Sequence, residues 1–461
     1  MAPFAGPVDC LGPCRSEGTV RRRVPLKALN TLPNSAAFRY LPTAMGTLTL
    51  LVDGRVHCPL APSSRASEPS DLLVGGGRIL QMAPAGALRE LGSGPLAGSL
   101  RVLDLEGRAV IPGLVDAHVH LGGGGGEGGF RSRVPRVELG ALVAAGVTSV
   151  VGVLGTDGAT RTMRELVACA YAMREEGLSA WCYTGNYHLP VMTLTGSVKD
   201  DVVFVEPILG VGELALSDHR SSQPTFDELV RVASDAYVGG LTAGKVGILH
   251  LHMGDGPRGL DLVRRALSET ELPARIFQPT HLNRNRALWA EAKSLARQPR
   301  APLFDVTAFP PDDDPETLSA SAAVLDWRAE GLPYTRLSVS SDGGGCLPVF
   351  EDGKMVGMGV GSAATLLQTV RELVAAHVPL AEAVAPMTAH PAAALGLSNK
   401  GRITAGADAD LVVLDERLEP WLVMAGGRLL LEGGELTSAG RGTFGASKRE
   451  GGGEPRTEVA R

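Results

Sequence analysis

A (β/α)8 TIM-like barrel with a small β-sandwich domain beside it is the fold this sequence predicts, and three features predict it. Between residues 109 and 395, apolar runs of strand length alternate with segments whose apolar residues recur every three or four positions. Short apolar runs punctuated by glycine lie on both sides of that region, in 45–108 and 396–436, and their shared style predicts that the two flanks pack into one β domain. Residues able to bind metal recur where the predicted barrel strands end.

Composition sets the outer limits. A chain of 461 residues can bury a barrel-sized core plus a smaller one, and its 44% apolar and 20% charged shares are those of an ordinary globular protein. The net charge of −6, with no basic face required, argues against nucleic acid as a partner. No apolar run reaches the length of a membrane span. Cys10, Cys14, Cys58, Cys169, Cys182 and Cys346 are scattered with no C-x-x-C pair, which reads as free thiols in a reducing compartment and makes the cytoplasm the expected location.

Residues 1–44 carry Arg15, Arg21, Arg22, Arg23, Lys27 and Arg39 against Asp9 and Glu17, with prolines throughout, so a disordered extension is expected. An acid-poor, Arg-rich start also suits an organelle transit segment. The prolines spoil the amphipathic helix such a segment needs, and Met45 offers an internal start, so a dispensable extension is preferred. The first flank follows with T-L-L-V-D-G-R-V-H (49–57), D-L-L-V-G-G-G-R-I-L (71–80) and S-L-R-V-L-D-L-E-G (99–107). Eight barrel strands are then expected to end near His120, Gly155, Tyr187, Asp218, Asp255, Leu282, Phe309 and Asp342. Helical spacing lies between them, as in Phe226, Leu229, Val230 and Ala233, and after the last in Leu366, Val370, Leu373 and Val374. G-R-I-T-A-G-A-D-A-D-L-V-V-L-D (401–415) and W-L-V-M-A-G-G-R-L-L-L-E-G-G (421–434) form the second flank, and the Gly-rich, charged residues 437–461 read as a disordered tail.

The strongest local signal is I-P-G-L-V-D-A-H-V-H-L-G-G-G-G-G-E (111–127). Histidines two apart on a strand project to the same side, so His118 and His120 can meet one metal ion. Glu213, His252, His281 and Asp342 stand at the ends of other strands. Any one of these is ordinarily a satisfied core or loop residue. Six on one rim suit two divalent metals sharing a carboxylate bridge, and two such ions about 3.5–4 Å apart hold a bridging hydroxide, a strong nucleophile at neutral pH.

Further motifs narrow this: L-G-T-D-G (154–158), T-G-N-Y-H-L-P (184–190), S-D-H-R (217–220), H-M-G-D (252–255), P-T-H-L-N-R-N (279–285), S-S-D-G (340–343) and a closing G-A-D-A-D-L-V-V-L (406–414). With them the chain resembles, from about residue 48 to 435, the isoaspartyl (β-aspartyl) dipeptidases of the amidohydrolase superfamily. The resemblance implies two zinc ions, one held by His118, His120 and Asp342 and the other by His252 and His281. It also implies that Asp342 serves as general base and then acid, and that Tyr187 supports the oxyanion. Glu127 would receive the free α-amino group of a small dipeptide, Arg220 and Arg284 its carboxylates, with Gly125, Thr156 and Cys346 lining the same place. A homo-oligomer is implied as well.

Two positions depart from the family pattern. Glu213 stands where the family has a carbamylated lysine, and a carboxylate can bridge without carbon dioxide; Lys245 precedes the fifth strand and is not substituted for it. Cys346 stands where the family has a serine, which removes a good hydroxyl donor. His250 shares strand parity with His252, but the H-M-G-D match selects His252, and His219 is expected to support a ligand rather than be one. Two rivals stay open: an amidohydrolase acting on a cyclic amide such as a hydantoin or dihydropyrimidine, against which Glu127 and the two arginines count, and a barrel retained as an inactive scaffold.

Overall fold

Parallel strands covered on both faces read as near-continuous apolar runs, and in the computed structural model such runs become Leu114–Val119, Val147–Gly152, Ser179–Thr184, Ile208–Leu216, Ile248–Met253, Phe277–Thr280, Phe304–Thr307 and Leu337–Ser340. They stop one to three residues short of the eight predicted ends. The structure describes residues 48–60, 68–94, 97–309, 316–351 and 354–445. The predicted extension 1–44 and residues 446–461 of the predicted tail lie outside these.

The first six strands form one parallel sheet in chain order, and the seventh and eighth pair with each other, Val306 beside Val339. A few backbone hydrogen bonds outside the ladders close the circle. Leu303 N–H donates to the Phe277 carbonyl at 3.0 Å between strands six and seven, and His120 N–H donates to the Gly343 carbonyl at 2.8 Å between strands one and eight. A helix follows each strand, among them Phe226–Ala243 after the fourth and Ala364–Ala375 after the eighth. The former starts with a capping box between Thr225 and Glu228, ends at Gly244 with φ 67°, and buries Leu229, Ala233 and Ala236. The latter buries Leu366, Val370 and Leu373, the predicted stripe.

The flanks share one nine-stranded sheet. Leu411–Leu414 from the C-terminal side pairs antiparallel with Ala109–Pro112, which in turn pairs with Leu48–Val56. The sheet wraps a core containing Leu51, Leu72, Ile79, Val110, Leu411 and Met424, and its edge strand Arg78–Pro84 reaches the segment before Leu411, where Ile79 N–H donates to Ala407 O at 3.0 Å. Ala109–Pro112 therefore belongs to this sheet and not to the barrel, because it supplies the seam between the flanks.

Residues 437–445, read from composition as disordered, are a correction. Thr437 N–H donates to Leu430 O at 2.9 Å, and Thr443 N–H donates to Glu176 Oε1 at 3.2 Å on a barrel helix. Glycine here serves close approach rather than disorder: a Cβ on Gly440 would lie 1.9 Å from the Leu430 carbonyl oxygen. Among the described residues Cys58, Cys169, Cys182 and Cys346 are free thiols, and no helix is long and apolar enough to cross a membrane.

Lys400 ties sheet to barrel. Its buried Nζ contacts Asp410 at 2.6 Å, Asp408 at 2.9 Å and the Ser179 hydroxyl at 2.6 Å, the last at the start of the third barrel strand. Removing the cation leaves buried Asp410 without its charge partner, so Lys400→Met should lower stability by about 3–5 kcal/mol in urea unfolding; a loss below about 1 kcal/mol would refute this role.

Candidate metal centre and substrate site

Glu213, fully buried near the end of the fourth strand, is the centre of the rim. Its Oε1 lies 3.5 Å from His118 Nε2 and 3.4 Å from His120 Nε2, while its Oε2 lies 3.1 Å from His252 Nδ1 and 3.6 Å from His281 Nε2. One carboxylate thus faces two histidine pairs, one with each oxygen. Asp342 closes the first pair, Oδ1 lying 3.1 Å from His120 Nε2 and 3.3 Å from His118 Nε2. His281 (φ 61°) and Asp342 (φ 53°) hold left-handed backbone at the ends of strands six and eight, a strain of roughly 1 kcal/mol or more that the surrounding structure must impose.

Charge and burial agree with a cation site. Burial opposes ionisation of Glu213, but the imidazoles around it, His118 foremost and then His252 and His281, hold its carboxyl well below the usual range. Asp342 is lowered against burial by His118 and His120 in the same way. Burial, followed by the charge of His252, pushes His281 down to about 3, so its imidazole stays neutral. His118 Nε2, Glu213 Oε1 and Asp342 Oδ1 are buried without a hydrogen-bond partner. Four convergent imidazoles, two carboxylates and buried ligand atoms without hydrogen-bond partners fit divalent metal ions. His118, His120 and Asp342 form one cluster with metal-binding spacing, and His118, Glu213 and His281 form another.

The predicted substrate residues gather on one side of these donors. The Thr156 hydroxyl donates to Glu127 Oε1 at 3.0 Å, and Arg220 Nη1 lies 3.4 Å from the same oxygen. Arg220 is held by Asp218 through its Nε at 3.0 Å and its Nη2 at 2.8 Å. Arg284 lies next to the N-cap of helix Arg286–Ala296, where Asn285 accepts from Leu288 N–H at 2.8 Å, and its Nη1 donates to Met253 O at 2.7 Å. Both guanidinium groups reach His252 Nε2, Arg220 at 3.2 Å and Arg284 at 3.4 Å. The Tyr187 hydroxyl lies 2.9 Å from His252 Nδ1, and burial, then the charge of Glu213, raises its phenol well above the ordinary range, so it remains a proton donor. Gly125 carries φ 80°, and a Cβ there would lie 2.4 Å from Ser132 O and 3.3 Å from the Cys346 sulfur. That brings the glycine run against Cys346.

A β-aspartyl dipeptidase from Fervidobacterium islandicum AW-1, solved in complex with β-Asp-Leu, superposes with a TM-score of 0.76 and 35% identity, covering 85% of this chain and 98% of that one. The chain belongs to the isoaspartyl dipeptidase family of the amidohydrolase superfamily. The Amidohydrolase family itself matches residues 322–430. The dihydroorotase of Pelotomaculum thermopropionicum is 26% identical over 75% of this chain and 92% of its own length. A D-hydantoinase from Thermus sp. shares the fold, with a TM-score of 0.62 and 15% identity over 86% of this chain and 98% of its own.

Lys245 takes no part in this isoaspartyl dipeptidase-family site. Its Nζ donates to the Val202, Val205 and Ile208 carbonyls at 2.7, 2.8 and 2.9 Å, capping the end of helix Val198–Phe204 far down the barrel wall. Two supporting residues fall outside the predicted set. Asp218 Oδ2 lies 3.1 Å from His252 Nε2 while also gripping Arg220, and His250 Nε2 lies 2.8 Å from His118 Nδ1. The parity of His250 with His252 was the available signal. Which strand lies across from it could not be read from the chain. His188 Nε2 donates to Arg220 O at 2.8 Å, and His219 is exposed beside Asp218.

Glu213→Ala should abolish stoichiometric metal uptake by elemental analysis, whereas Lys245→Met should leave it intact and only lower the melting temperature. Two metals per chain retained by Glu213→Ala would remove the bridge.

Proposed function

We propose that this chain is a zinc-dependent dipeptidase that hydrolyses β-aspartyl dipeptides. The observation that carries the reading is the grouping of one carboxylate, Glu127, with two guanidinium groups, Arg220 and Arg284, beside the two-histidine-pair donor set. A β-aspartyl dipeptide presents one ammonium and two carboxylates, the complementary count. Likeness to a relative solved with β-Asp-Leu supports the same class of substrate.

In this reading His118, His120 and Asp342 would hold one zinc ion and His252 and His281 the other, with Glu213 as the carboxylate shared between the two sets. When bound, the two metals supply positive charge that polarises the scissile carbonyl and makes water acidic enough to attack at neutral pH. Glu127 receives the substrate ammonium; the two arginines take its carboxylates and fix the amide over the rim. Asp342 accepts the proton lost by the attacking water and delivers it to the departing amine nitrogen, so that water and amide become acid and amine. The Tyr187 phenol donates to the carbonyl oxygen as it gains charge. Cys346 offers a weak donor beside Gly125, and burial followed by the charges of Glu127 and Asp342 raises its thiol, which keeps it neutral. The small dipeptide is the only partner this scheme requires.

The dihydroorotase likeness keeps a cyclic-amide substrate as the second reading. A cyclic amide brings no ammonium to Glu127, which would leave that carboxylate to the Thr156 hydroxyl and Arg220.

Zinc-loaded protein offered β-Asp-Leu, α-Asp-Leu, dihydroorotate and dihydrouracil should hydrolyse only the first. Turnover of a ring substrate without β-Asp-Leu would transfer the assignment to the cyclic-amide class. Arg284→Met and Glu127→Gln should each lower kcat/KM for β-Asp-Leu at least about tenfold, mainly through KM; an unchanged value would take that residue out of substrate binding.

A further inference from the structure

Beneath the metal donors the barrel interior holds a line of polar side chains that the proposed chemistry does not use. Asp305, buried on the seventh strand, accepts from the hydroxyls of Thr280 at 2.6 Å, Ser338 at 2.5 Å and Ser340 at 2.6 Å. The Ser338 proton is therefore committed to Asp305, or to the nearby Phe304 carbonyl at 3.2 Å, and its lone pair is left facing Gln278. Gln278 Nε2 donates to that lone pair at 3.5 Å. Its amide oxygen consequently points the other way, 3.2 Å from His250 Nδ1. A carbonyl oxygen can only accept, so His250 carries its proton on Nδ1 and presents a bare Nε2. That Nε2 lies 2.8 Å from His118 Nδ1. The remaining partner must donate, so His118 carries a proton on Nδ1, and its Nε2, 3.5 Å from Glu213 Oε1 and 3.3 Å from Asp342 Oδ1, is the nitrogen left to meet a cation.

We propose that His250 is a positioning residue for the metal centre: it accepts the Nδ1 proton of His118 and so locks the tautomer whose Nε2 meets the metal. Gln278 orients His250, and the Tyr183 ring, stacked on the imidazole with centroids 5.0 Å apart and planes 18° apart, holds its plane. The polarity of the whole line is set at the Asp305 end, where the carboxyl accepts from three hydroxyls. Hydrogen-bonding partners of metal-bound histidines typically change metal affinity 10–100-fold. The proposal rests on the metal-centre reading and is independent of which amide is cleaved.

The test is metal binding by the full chain, measured by competition with a chelator for Zn2+ and by the visible spectrum of the Co2+ form. His250→Leu should weaken one of the two binding steps by about 10–100-fold and leave the other within about threefold. His250→Gln, whose side-chain oxygen can still accept from His118, should recover most of the loss and the wild-type Co2+ spectrum. Unchanged affinities in folded His250→Leu would overturn the proposal. So would His250→Gln behaving like His250→Leu, because the residue would then serve only to fill space. Should His250→Leu not fold by circular dichroism, Gln278→Leu carries the test: weakened binding at one step supports the lock, and unchanged binding overturns it. A wild-type chain that binds two metals yet leaves β-Asp-Leu intact would count against the dipeptidase reading alone.

Discussion

A carboxylate with no access to water must find its partners inside the protein, and Glu213 finds them in four imidazoles arriving from three other strands. Much of the rim follows from that requirement. His118 and His120 must stand together on strand one, His252 and His281 must reach inward from strands five and six, and Asp342 must close the first pair from strand eight. Only a closed parallel barrel brings those strand ends to one rim. The backbone bond from His120 to Gly343 completes closure at the same residues that form the site, so folding and site assembly are one event.

Around this centre, single residues serve two neighbours. Asp218 grips both His252 and Arg220, which couples a proposed metal ligand to a proposed substrate-binding arginine. The motif T-H-L-N-R-N does several tasks in six residues. His281 faces Glu213; Asn283 fastens strands six and seven through Thr307 N–H at 2.8 Å and Thr307 O at 2.9 Å; Arg284 reaches the site; Asn285 starts the next helix. The motif is thus a structural joint and a functional element at once, which explains why it is so dense in polar groups for a strand end.

Arg220 has an unusually crowded environment, with Asp218, Glu127, His252 and the face of Tyr187 all in contact. Glu127 and Arg220 face one another at 3.4 Å. Under the proposed function, a ligand bringing both an ammonium and a carboxylate would replace each half of that pair without leaving either charge bare.

The periodic alternation of strands and helices, the H-x-H pair and the polar residues at strand ends were legible along the chain because strand parity and strand–helix rhythm are local properties. So were the motifs that carry the family. The sequence misled where glycine has two meanings: the residues around Gly440 look like a loose tail, yet Gly440 lacks a side chain where the Leu430 backbone lies against it. What only the tertiary structure decided is pairing across the barrel. That Lys245 caps a helix, that Glu213 presents one oxygen to each histidine pair, and that His250 meets His118 all depend on residues 37 to 132 positions apart becoming neighbours. Barrel closure sets those distances, and no local pattern encodes them.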